Sequence, residues 1–203
     1  MGRMMAALLL ALCLAGCAAP SGEEPVSAPA AQTERMSSSM VESSARPLPE
    51  AEVLAAYERA QRVYGWFDLA PLPLTEESSV LGGTTYYRVN MTGIEDLEDL
   101  RTYLRGVFSQ ELTDRLLDGG TARIQYRNIQ GILYASGEPR EPAAGKGLAR
   151  VETERLAEDL YVVNVMVDLL AEDGETVTSL ESWSFPYAFV EDRWVFTDFR
   201  LVI

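Results

Sequence analysis

The chain has 203 residues, 17 of them basic and 31 acidic, with a formal net charge of −14 and no histidine. That acidity excludes nucleic acid as a partner, because its binders need basic footprints, and it disfavours attraction to anionic lipid. Lacking histidine, the chain has neither Ser-His nor Cys-His catalysis, and it also lacks the commonest metal ligand.

Met1-Gly2-Arg3-Met4-Met5 is a short basic segment, followed by an apolar run from Ala6 to Leu14. A membrane-spanning helix needs about 20 apolar residues, so the run is too short for one and reads as the core of a secretory signal. Leu14-Ala15-Gly16-Cys17 has the form of a bacterial lipobox. Its resemblance to lipoprotein signals implies cleavage after residue 16, lipidation of the Cys17 thiol and acylation of the new amine. Two or more acyl chains anchor stably where one is marginal, so the expected location is extracytoplasmic, tethered to the cell membrane. An ordinary signal peptide with an incidental Cys17 is the competing reading. Cys13 is discarded either way, so the mature chain has no disulfide and no free thiol. Signal removal takes only Arg3 among the charged residues and leaves the chain one unit more negative.

Residues 17–47 are Ala-, Ser-, Pro- and Glu-rich with almost no aromatic or branched side chains. This composition predicts a disordered tether. It would span about 30 Å on average and about 100 Å when taut. Residues 48–203 suit a single domain with a real core.

Within that domain, Val53, Leu54, Tyr57, Ala60, Val63, Tyr64 and Phe67 recur at helical spacing, with Pro49 in the first turn and Gly65 as the expected end. Pro71 and Pro73 exclude a helix in "DLAPLPL", and "TTYYRVN" reads as a short strand. Thr92 and Glu95 form a capping-box pattern ahead of the stripe Leu97, Leu100, Leu104 and Phe108. Ser109 caps a second short helix that ends at Gly119-Gly120. Six alternating stretches follow, from "ARIQYR" to "RWVFTDFRLV", with hairpin turns at Glu172-Asp173-Gly174 and Glu191-Asp192. Helices first (48–120) and strands after (121–203) predict an α+β fold. The expected form is N-terminal helices packed on one curved antiparallel sheet, cystatin-like or NTF2-like.

Little in this stretch supports catalysis. "AAGKGL" departs from a phosphate loop at Arg140 and Gly147. With no thiolate or imidazole available, no metal site is expected, and no cofactor. Glu172-Asp173-Glu175 lacks the ligand series of a calcium loop. Asp168 and Asp198 are candidate proton-abstracting bases if they stand on a concave aromatic wall. Otherwise each is an exposed strand acid, or one paired with Arg200 or Arg193. Glu95-Asp96-Glu98-Asp99 suits a helix's first turn, where the dipole favours negative charge. Trp183, Phe185, Tyr187 and Phe189 alternate on one strand face as core, and Pro186 implies an edge or bulge. Trp66 and Phe67 read as a helix-end staple or a rim clamp.

Three stretches taken together, "AYERAQRVYGWFDLAPLPL", "TYYRVNMTGIEDLEDLRTYLRGVFSQELTDRLL" and "WSFPYAFVEDRWVFTDFRLV", resemble the IseA-type DL-endopeptidase inhibitor family of Gram-positive bacteria. The resemblance runs in order over roughly residues 50–203. It implies a two-lobed α+β protein with a cystatin-like sheet that inhibits cell-wall DL-endopeptidases, the autolysins that cut peptidoglycan stem peptides. Such a protein is not an enzyme. It is expected to act as a monomer by protein–protein binding that blocks the hydrolase cleft, with negative charge raising the association rate. The anchor on Cys17 confines it to membrane-proximal targets. By exposure and charge, the candidate partner-binding residues are Glu138, Arg140 and Glu141 in one loop and Glu172, Asp173 and Glu175 in a turn. Plain hydrophilic connectors are the competing reading. The main alternative function is a ligand-binding lipoprotein that uses the sheet's concave face, lined by Tyr126, Trp183 or Trp194.

Overall fold

The computed structural model describes residues 45–118 and 122–202. The expected signal at 1–16, Cys17, most of the 17–47 tether and Gly119-Gly120 lie outside the described residues. The described chain is α+β, built from three helices and two four-stranded antiparallel sheets.

Helix α1, Glu50–Asp68, buries Val53, Tyr57, Ala60, Val63 and Phe67 at spacings of three and four. Gly65 does not end it, contrary to the sequence expectation. The helix runs on to Asp68, and the Leu69 and Ala70 N–H groups both bond the Gly65 carbonyl, at 2.8 and 3.1 Å. Termination comes instead at Pro71, which has no N–H to continue the ladder.

Strands β1 (Leu74–Leu81) and β2 (Thr84–Val89) follow as a hairpin. Gly82 and Gly83 form its two-residue turn with φ of 59° and 84°. Such a turn needs positive φ at both positions, which glycine adopts without strain. β2 is the short strand expected in "TTYYRVN", whereas β1, also within the part expected to be mainly helical, was not foreseen. Helix α2, Leu97–Arg105, begins at Asp96 rather than Thr92. Asp96 accepts from the Glu98 and Asp99 amides, and Asp99 bonds back to the Asp96 N–H, closing the capping box four residues later than expected. Helix α3, Gln110–Leu117, starts as expected, with Ser109 Oγ accepting from the Leu112 amide. Neither α2 nor α3 nor α1 is long and apolar enough to cross a membrane.

The remaining strands are β3 (Gln125–Ile129), β4 (Ile132–Ser136), β5 (Lys146–Ala157), β6 (Leu160–Leu170), β7 (Val177–Val190) and β8 (Arg193–Phe196). They do not form the one sheet expected. The first sheet has the order β1-β2-β4-β3, joined by Tyr87↔Ala135 between β2 and β4. The second has the order β5-β6-β7-β8. The β7–β8 turn is Glu191-Asp192, at φ of 50° and 63°.

One hydrophobic cluster joins all three helices to both sheets. Its aromatic centre is Phe199, beyond the end of β8, whose ring lies 4.8 Å from Phe185 and within 6 Å of Tyr57, Tyr64, Phe108 and Phe196. Val107-Phe108-Ser109, between α2 and α3, covers the outer edge of β8. The Ser109 N–H bonds the Phe196 carbonyl and the Phe196 N–H bonds the Val107 carbonyl, at 2.9 and 3.0 Å.

Two tyrosine hydroxyls fasten α1. Tyr161 of β6 donates to the Leu48 carbonyl at 3.1 Å and accepts from the Leu48 N–H at 3.0 Å, just before the helix. Tyr126 of β3 donates to the Trp66 carbonyl at 3.0 Å and accepts from the Leu72 N–H at 2.9 Å, across its other end. Tyr126→Phe strands the buried Leu72 N–H together with the part-buried Trp66 carbonyl, and should cost about 1–3 kcal/mol. It should cost more than Tyr161→Phe, whose partners are only partly buried. Urea unfolding of both variants checks the ranking, and equal midpoints would refute it.

Burial also holds the phenols neutral, pushing Tyr57 up to about 12 and Tyr126 further. Since the folded state prefers the neutral form, this contribution is whole below about pH 10, the ordinary tyrosine value, and is lost as pH climbs through about 12. The urea midpoint measured against pH should therefore begin to fall near pH 10. A midpoint constant to pH 12 would contradict the assignment.

Candidate interaction surface

β7 leaves the core along its length. Phe185 and Tyr187 are buried, whereas Val177 to Leu180 are exposed. At this end the sheet comprises the start of β5, the end of β6 and the start of β7. Lys146 pairs in register with Leu169, and Asp168 with Leu180. Leu148 sits in a bulge between Lys146 and Ala149. Three large apolar side chains stand in solvent here: Leu148 at 80%, Leu180 at 58% and Val177 at 51% exposure. Sequence alternation did not single them out. Leu180 shares its side of the strand with Ser182 and Ser184, and a leucine in a serine row was the available signal.

Of the two predicted loops, the Glu172–Glu175 turn between β6 and β7 lies at this tip, whereas the Gly137–Glu141 loop is held at the end of α1. The Gly137–Glu141 loop leads into β5, and the Leu170 N–H bonds the Gly145 carbonyl at 2.8 Å, tying the loop's end to the β6–β7 turn. Glu138, Glu141, Glu172 and Glu175 are all exposed, and Glu172 and Glu175 belong to the turn that joins the end of β6 to the start of β7. The other two predicted residues have structural work. Arg140 pairs with Asp68 at the end of α1, and its N–H bonds the Leu69 carbonyl at 2.8 Å, pinning the loop. Asp173 closes its own turn, accepting from the Thr176 hydroxyl at 2.6 Å and from the Thr176 and Glu175 amides at 2.8 and 2.9 Å. Lys146 is ion-paired with Glu181.

The candidate bases are occupied. Asp168, on the sheet face opposite the core, meets Arg150 at 3.0 Å. Asp198 lies past the end of β8, exposed, 3.5 Å from Arg115. The arginine partners differ from the Arg193 and Arg200 expected, because the pairing crosses between elements. No group of three or more His, Cys, Asp or Glu side chains able to hold a metal occurs among the described residues. Tyr126 is part of the filled core, Trp194 packs against Tyr161 and Tyr187, and Trp183 lies under Arg200. Phe67 is buried against Tyr126 and Trp66 packs on Tyr103, so the staple reading holds.

The Thr176 hydroxyl, followed by the Thr176 and Glu175 amides, holds the Asp173 carboxyl down at about 2. The turn's contribution is therefore present above about pH 4, the ordinary aspartate value, and lost as pH falls through about 2. An NMR titration should find this midpoint, and Thr176→Val should raise it. If the midpoint stays put in the variant, the hydroxyl is not the main cause.

No family model matches this chain, and no curated protein matches it.

Proposed function

We propose that this protein is a lipid-anchored, extracytoplasmic inhibitor of cell-wall DL-endopeptidases, as its resemblance to the IseA-type family implies. The observation that supports the reading best is the tip of the second sheet. Leu148, Val177 and Leu180 are exposed at a place where the core has no use for them, and the exposed acids Glu172 and Glu175 stand in the adjoining β6–β7 turn. Exposed apolar side chains within a polar rim are the usual anatomy of a protein-binding patch. A hydrolase whose cleft is apolar inside and basic at its margin is the matching partner. The acids would steer the encounter and the apolar side chains would be desolvated on docking.

The finer fold reading belongs with this proposal. α1 lying on the β5–β8 sheet through Tyr57 and Phe185 is consistent with a cystatin-like half, and β1–β4 would then be the second lobe. The alternative of a ligand held in the sheet's concavity is less well supported, because α1 and Phe199 fill that face.

The test is a titration of residues 41–203 into a DL-endopeptidase from the same organism digesting purified peptidoglycan. Saturable inhibition near one equivalent is expected. Leu180→Asp should weaken inhibition at least tenfold while leaving the unfolding free energy from urea melts within about 0.5 kcal/mol, as exposed substitutions do. A folded protein that inhibits none of the organism's wall hydrolases ends this reading.

A further inference from the structure

A second feature lies away from the tip residues and does not depend on the inhibitor reading. Between the end of α1, α3 and the segment after β8 there is an open groove of about 450 Å³, within the size range of small-ligand sites. Phe67, Leu116 and Leu201 give it an apolar lining, and Arg115, Arg123 and Arg200 also line it. Three guanidiniums at one opening run against the composition of a chain with net charge −14.

Their ordinary partners are scarce. Asp68, one acid of the groove, is engaged by Arg140. Asp198, the other, meets Arg115 at 3.5 Å with both side chains more than half exposed, a pairing worth little in water. Arg200 stacks over the Trp183 ring at 4.4 Å, an arrangement that orients the plane and leaves the in-plane N–H donors available. Arg123 has no carboxylate partner among the described residues. The Tyr64 hydroxyl belongs to the same groove, where burial above all pushes its pKa up, with Asp68 adding to the rise and Arg200 and Arg115 opposing it. It too has no hydrogen-bond partner among the described residues.

We propose that this groove binds the free C-terminal carboxylate of a short apolar peptide. Arg123 and Arg200 pair with the carboxylate, Tyr64 donates to it, and the terminal side chain rests on Phe67 and Leu116. Two acids beside three arginines leave a small positive surplus, which suits a monoanion better than a phosphate dianion. The planar fork of arginine matches a carboxylate's two oxygens.

The test is an amide NMR titration of the full 203-residue chain in mild detergent. Three probes are used: N-acetyl-Ala-Ala-Leu, the same peptide with a C-terminal amide, and inorganic phosphate. Saturable shifts at Tyr64, Leu116 and Arg200 are expected with the free acid, with binding weaker by about tenfold or more for the amide. Arg123→Gln, at an exposed side chain, should reduce affinity similarly without disturbing the rest of the spectrum, and Tyr64→Phe should reduce it several-fold. The proposal is overturned if the acid causes no saturable shift, if acid and amide bind alike, if phosphate binds as tightly as the peptide, or if Arg123→Gln changes nothing.

Discussion

The hydroxyls of Tyr126 and Tyr161 decide how this molecule holds together. Each satisfies one N–H and one carbonyl of backbone flanking or ending α1, and each comes from a different sheet. Helix ends leave backbone groups without intrahelical partners, and here the two sheets supply them. α1 is thereby fixed to the second sheet before its first turn and to the first sheet around its last. The shared core can then be continuous across two sheets that are not paired to each other. A phenol is suited to this task because it donates and accepts through one atom while its ring adds to the core.

The chain's many carboxylates are divided between architecture and surface. Asp96 and Asp99 cap α2, Asp68 pins the Arg140 loop, Asp173 ties its turn, and Glu77 of β1 accepts from Tyr134 and Arg88. Glu172 and Glu175 stay exposed in the turn beside the apolar end of the second sheet. Arginine follows the opposite course. Half of its copies among the described residues are in ion pairs, and the group around Tyr64 is not fully matched by acids. A chain read only by its net charge hides this local reversal.

Period-driven elements were legible in the sequence. α1, α3 and strands β3 to β8 announce themselves by spacing, and Ser109 by its capping chemistry. β1 was not legible, because Glu76-Glu77-Ser78-Ser79 has weak strand preference and is held by β2 and by cross-strand contacts such as Tyr134 to Glu77. Gly65 misled because glycine is permissive within a helix as well as at its end. Thr92 misled because a capping pattern recurs at Asp96 and Asp99, closer to the apolar stripe. The division into two sheets depends on pairings such as Tyr87 with Ala135, which no local pattern encodes. At the candidate surface the exposed acids were readable. The engagement of Arg140 by Asp68 was not, since 72 residues separate them.

Pro186 lies inside β7, where it pairs with Val162. Its carbonyl accepts from the Thr197 N–H at 3.1 Å, so its nitrogen faces the same side, toward the departing end of β8. A proline there returns no N–H to Thr197, and the ladder loses half of its next hydrogen-bonded pair. Two endings compete for the last residues of the chain: continued zippering along β7, or a turn inward that seats Phe199 among five rings. The missing N–H makes the first ending one hydrogen bond poorer, so covalent structure itself tilts the C-terminal segment toward the inward turn that seats Phe199.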